Sequence, residues 1–176
     1  MKNQRDTNTI IRYSKLLKSL VTFVFLLTAA NPETISALPL STHYVTTDGN
    51  CGSASPCYSS IQDAIDAASS DDEIRVAAGD YTQITTVGIL KQVAYITKSL
   101  TIKGGYTSTD WENQDPISNV VNLNAQTQGR VVYIQGPDIS VDLNGLTMSY
   151  GKANGQGGGS SGGDVGGGMY MHWMPQ

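Results

Sequence analysis

Three rhythms of apolar residues follow one another along the chain. Residues 20–30, LVTFVFLLTAA, form a predominantly apolar, uncharged block of about eleven residues, preceded by Lys2, Arg5, Arg12, Lys15 and Lys18 with Asp6 as the one acid. That is the basic and apolar order of a secretory signal, and it falls short of the roughly 18 to 20 residues that span a bilayer. Small residues offer cleavage after Ala30 or after Ala37, and the second is preferred because the extended run STHYVTT begins soon after it. An uncleaved N-terminal anchor is the rival reading.

The second rhythm is helical. In SSIQDAIDAASSDDE, Ile61, Ala64, Ile65 and Ala68 fall at i, i+3, i+4 and i+7, so they share one face of a short helix. Ser60 stands at the N-cap with Asp63 three residues on, where the helix dipole favours an acid.

The third rhythm has a period of two and occupies the rest of the chain. EIRVAAG, QVAYITK, SLTIKGG, NVVNLNA, RVVYIQG and ISVDLNGLTMSYG each alternate apolar with polar or small residues, and each is bounded by Gly, Asn, Asp or Pro. Strands of about four residues have to be stacked to be stable, either as antiparallel hairpins or as parallel coils. Asn144-Gly145 is the one clear Asn-Gly turn, and the spacing from Ile74 to Leu100 to Val121 is near a coil of roughly 20 to 25 residues, so the expectation is a parallel solenoid. The single helix ahead of the strands would cover its apolar end.

Charge and cysteine usage narrow the setting. The whole chain carries 11 basic and 15 acidic residues; without residues 1–37 the balance is 6 to 13, a formal charge of −7. Such a surface repels nucleic acid, and contact with a membrane is expected only through the signal segment if it stays uncleaved. Cys51 and Cys57 flank a Gly, Ser and Pro loop, which in an exported chain reads as a disulfide. A two-cysteine metal site is the sharper alternative, but His43 and His172 lie far off in sequence.

From Tyr44 to Tyr170 the chain resembles the N-terminal part of secreted right-handed parallel β-helix proteins of the pectin-lyase-like fold, of the bacterial cell-surface kind. The resemblance is carried by YVTTDGNCGSASPCYSSIQDAIDAAS, IRVAAGDYTQ, ITKSLTIKGGY, then QGRVVYIQG, VDLNGLTMSYGKA and GGGMY. It implies an all-β fold: the N-terminal coils of a right-handed parallel β-helix solenoid with one short N-terminal capping helix. The expected organisation is a signal peptide over 1–37, an N-terminal cap with disulfide loop and helix over 38–70, and first coils over 71–150. A Gly/Ser-rich loop over 151–168 and a truncated start of a further coil, or a non-native tail, over 169–176 complete it. In such proteins a motif like Gly166 to Tyr170 opens further repeated coils, so the resemblance also implies that most of the solenoid lies beyond this sequence.

A shared fold hosts unrelated activities, so chemistry has to come from a site. Lyases of this fold hold calcium on aspartates and abstract a proton with an arginine or lysine. The nearest candidates are Asp110, Glu112 and Asp115 with Lys103 or Arg130, although TSTDWENQDP also reads as a solvated Asp-Pro turn. Hydrolases gather carboxylates over adjacent coils. Asp138 and Asp142 are the candidates for that role, with surface positions as the simpler reading. GGDVGGGM has one aspartate, Asp164, at the wrong offset for a calcium repeat and reads as a flexible loop. Tyr95, Tyr106, Trp111, Tyr133 and Tyr150 could stack on sugars or serve as structural rings. The chain therefore reads as the non-catalytic N-terminal portion of an exported, cofactor-free protein, with the parent in surface binding or adhesion and surface carbohydrate or another extracellular protein as partner. The alternatives are a portion of a polysaccharide lyase or glycoside hydrolase, or a non-functional remnant.

Overall fold

The computed structural model describes residues 40–158 and 163–172. The expected signal segment over 1–37 and the last four residues of the expected tail lie outside them. Twelve strands and one helix are found among the described residues: β1 (Thr42–Val45), β2 (Cys57–Tyr58), α1 (Ile61–Ala67), β3 (Glu73–Ala77), β4 (Gly79–Tyr81), β5 (Thr85–Val87), β6 (Leu90–Ile96), β7 (Leu100–Tyr106), β8 (Val121–Asn124), β9 (Arg130–Gln135), β10 (Val141–Asn144), β11 (Leu146–Ser149) and β12 (Met169–His172). They form three sheets, with strand orders β10-β7-β3-β1-β2, β11-β8-β4 and β12-β9-β6-β5. Every pairing is parallel except β5 with β6, a hairpin turning at Gly88 with φ 61°.

The all-β right-handed parallel β-helix solenoid expected from the sequence is therefore corrected to a mixed arrangement, three mostly parallel sheets with a helix built into their core. The coil spacing that suggested it compared positions on different sheets. Ile74 aligns with Ile102 in the first sheet, whereas Val121 lies opposite Gly79 in the second. Nor are the connections uniform: the single residue Gly145 links β10 to β11, while fourteen-odd residues of loop separate β7 from β8. The helix is not a lid over an all-β stack either, since Ile61, Ala64 and Ile65 are buried in the same cluster as Ile74, Leu123 and Ile134 from the three sheets.

The helix forms where its period and cap coincide. Ser60 is extended, and its hydroxyl accepts the Asp63 amide at 3.3 Å. Ser60→Ala should destabilise the fold by about 1 kcal/mol, the usual loss for an N-cap, read as a lower urea midpoint with unchanged m-value. A wild-type midpoint would mean that burial of the apolar face alone holds the helix.

Gln62, on the first turn, uses its side chain as a strand would use a peptide. Its Oε1 accepts the Tyr95 amide at 2.7 Å and its Nε2 donates to the Tyr95 carbonyl at 3.1 Å. β5 pairs only with residues 90–92 of β6, so this carboxamide completes the same edge further along. A second, smaller cluster gathers Cys51, Ala77, Tyr106 and Trp111, and the indole donates to the Cys51 carbonyl at 3.2 Å. Cys51 and Cys57 are joined in a disulfide with Cα atoms 5.8 Å apart, so the loop they close is held by one covalent bond and one buried ring.

Candidate functional site

The middle sheet presents the groove with the most developed chemistry. Its strands align Asp80 with Asn122 and Asn122 with Thr147, one residue from each of β4, β8 and β11. Alternation turns Tyr81, Leu123 and Met148 toward the interior and leaves these polar side chains on the outer face. Adjacent strands set their spacing at roughly 4.8 Å. The result is a polar row across an open groove of about 460 Å³.

The row is ordered by a directional relay. Ser149 Oγ donates to Asn122 Oδ1 at 2.8 Å, and Asn122 Nδ2 donates to Asp80 Oδ1 at 2.5 Å. The relay fixes the orientation of the Asn122 amide. Among the described residues, Asp80 Oδ2 and Thr147 Oγ1 take part in no hydrogen bond, so one acceptor and one hydroxyl face the groove uncommitted.

Tyr150 stands at the end of this row, 67 % exposed and lining the groove. Its φ is 50°, a left-handed conformation that costs a bulky side chain free energy and that glycine adopts freely. The backbone fixes it there, because the Tyr150 carbonyl accepts the Thr127 amide at 2.8 Å and the Ser149 carbonyl accepts the Ala125 amide at 3.1 Å. Gln126 and Thr127, opposite, are also left-handed. A large ring is thus held out in solvent by a strained backbone, the combination that functional sites accumulate.

Comparison with family models, curated proteins and solved structures returned no match. A second depression, of about 290 Å³, lies beside Thr46, Asp48 and Thr107. Its carboxylate serves its own loop: Asp48 Oδ1 accepts the Asn50 amide and the Thr46 hydroxyl, each at 3.0 Å, which lowers its pKa.

The residues singled out by sequence fall elsewhere, mostly in structural roles. Asp110 accepts the Glu112 and Asn113 amides and the Asn113 side chain, and Asp115 accepts the Ile117 and Ser118 amides. Both carboxylates organise turns, and their pKa values are held low, chiefly by the Asn113 side chain for Asp110 and by the Ser118 side chain and amide for Asp115. No group of three His, Cys, Asp or Glu side chains among the described residues is arranged to hold a metal. Lys103 donates to Glu73 at 2.6 Å, and this bond raises its pKa, the opposite of what a proton-abstracting base requires. Asp138 sits in a left-handed turn, and Asp142 is exposed opposite Thr101.

The aromatic residues also divide by role. Tyr95, Tyr133 and Tyr170 stack in register along the third sheet at 5.6 and 5.5 Å between centroids. Arg130, fully buried, lies 5.6 Å from the Tyr133 ring and 4.9 Å from that of Tyr170. Its guanidinium donates to Gln156 Oε1 and to the carbonyls of Gln156, Gly157 and Val165, which makes it the anchor of the glycine-rich segment. Asp164, expected in a flexible loop, accepts the amides of Gly155, Gln156 and Gly157 at 2.7 to 2.9 Å. Of the five aromatics, Tyr150 alone combines high exposure with a polar groove. Asp80, Asn122, Thr147 and Ser149 escaped the sequence reading because each occupies an ordinary outward strand position, and only the pairing register brings them together.

Proposed function

We propose that this chain is a non-catalytic binding portion of an exported protein that acts at the cell surface or outside the cell, where it holds a carbohydrate or another extracellular protein. The observation that carries the reading is Tyr150, an exposed ring kept at φ 50° beside the hydrogen-bonded row Asp80, Asn122 and Ser149. A rigid, partly satisfied polar surface beside one aromatic platform suits recognition, since it offers oriented donors and acceptors at low entropic cost. The Cys51–Cys57 disulfide agrees with an oxidising compartment. The basic and apolar residues 1–30 supply the export signal, and the acidic remainder keeps nucleic acid off.

Expression of the full chain with its own N-terminus tests this reading in two measurements. The expected product is found outside the cytoplasm with a new N-terminus after Ala37 or Ala30 and with Cys51 and Cys57 protected from alkylation until reduced. Fluorescently labelled product should also bind intact cells saturably. A cytoplasmic product with both thiols free, or saturable binding to no cell surface, would overturn the proposal.

A further inference from the structure

We infer that the groove across β4, β8 and β11 is a subsite for a neutral or amino-sugar glycan, with Tyr150 as the stacking platform and Asp80, Asn122 and Thr147 as the groups that read hydroxyls. The inference rests on the binding reading above and adds to it a ligand class and the residues that select it.

The chemistry of the groove points to sugar. A pyranose ring has apolar C–H faces and a polar rim, so it needs a flat apolar surface on one side and oriented hydrogen-bonding groups at its edge. Tyr150 supplies the first, being amphipathic and rigid. The row supplies the second: Asp80 Oδ2 accepts, the Thr147 hydroxyl donates or accepts, and the Asn122 amide is held in one orientation by Ser149 and Asp80. Carboxylates and carboxamides spaced by the strand separation can address successive hydroxyls of one ring or of two adjacent rings. The groove volume of about 460 Å³ lies inside the span of roughly 300 to 1,000 Å³ typical of small-ligand sites.

Charge selects within the sugars. The one ionisable carboxylate lining the groove is Asp80, and no lysine or arginine lines it. A uronate polymer would bring its carboxylates against Asp80 and against a chain whose balance after residue 37 is strongly acidic. Neutral rings meet no such penalty, and a protonated amino sugar would gain from Asp80.

The backbone at Tyr150 separates a ligand-binding role from a structural one. A residue kept for packing would be buried, and at this φ glycine or asparagine would make the turn with less strain. Tyr150 is neither, so replacing it with glycine should relieve strain and leave the fold at least as stable. The same change removes the stacking surface.

The test uses the full chain and four variants in titrations with cellotetraose, chitosan tetramer and polygalacturonate. Wild type should bind one or both of the first two and leave polygalacturonate unbound. Tyr150→Gly should weaken that binding by about tenfold or more while melting at or above the wild-type temperature. Tyr150→Phe, which keeps the ring face, should bind within about threefold of wild type, and Thr147→Val and Asn122→Ala should each weaken binding without lowering the melting temperature appreciably. Polygalacturonate binding as tight as that of the neutral oligomer, wild-type affinity in Tyr150→Gly, or no binding of either tetramer would each overturn the inference. If labelled protein still binds cells while no sugar competes and Tyr150→Gly has no effect, the surface-binding reading stands and the glycan groove falls. Sugar binding without any retention on cells has the reverse meaning.

Discussion

Replacement of Arg130 by alanine is expected to lower the unfolding free energy by about 3 kcal/mol or more, the largest loss from any single side chain here. Arg130 is fully buried at the start of β9, and its donors reach Gln156 Oε1 and the carbonyls of Gln156, Gly157 and Val165 at 2.7 to 3.4 Å. Removing it strands several buried acceptors at once and takes the cation from beside the stacked Tyr133 and Tyr170 rings. Lysine would not rescue the site, because a single ammonium cannot reproduce the forked pattern of donors. Urea denaturation gives the magnitude, and amide exchange at Gln156 and Gly157 gives the location. Both amides should exchange much faster in Arg130→Ala, since the segment loses its anchor even though Asp164 still accepts them. An unchanged midpoint would show that the carbonyls find water at no cost.

The second large effect concerns acid. Asp72 is buried beside His43, and burial alone would raise its pKa. The Ser41 amide at 2.9 Å, the Ser69 amide at 2.7 Å and His43 Nε2 at 3.2 Å outweigh that penalty and hold it below the ordinary carboxyl value. A depressed folded-state value means that the stabilisation is present above the unfolded pKa and disappears as pH falls through the folded one. The wild type should therefore lose stability progressively below about pH 4. Asp72→Asn should be weaker at pH 7 by about 1 to 3 kcal/mol, because a carboxamide offers one acceptor oxygen where two are used. Its acid-side slope should be shallower than that of wild type. Parallel slopes from pH 5 to 2 would assign the acid sensitivity to other carboxylates.

The sequence made some of this legible and concealed the rest for identifiable reasons. The helix was readable because Ile61, Ala64 and Ile65 repeat at its period and Ser60 marks its start, both local signals. The alternation in EIRVA and VNLN likewise located strands whose buried positions are Ile74, Val76, Val121 and Leu123. Sheet membership was not local. Val121 and Leu100 look alike in sequence, yet one pairs in the second sheet and the other in the first, so a count between them carried no repeat. Tyr150 was visible as an aromatic near strands, but its left-handed backbone and its neighbours Asp80 and Asn122 depend on register across seventy residues. In the sequence Arg130 is a cation and a candidate base; that its donors are spent on Gln156, Gly157 and Val165 follows from contacts made only in three dimensions.

The carboxamide of Gln62 has a bearing on how this protein behaves at high concentration. An extended backbone segment with free donors and acceptors recruits strands from other chains, and a concentrated, newly folded population is where such recruitment becomes self-propagating. By occupying both polar groups of Tyr95 with a side chain from the helix, the chain closes that stretch of β6 without adding another strand. The closure is intramolecular and arrives as soon as the helix docks, so protection against aggregation at this edge depends on residues read before the edge itself is synthesised.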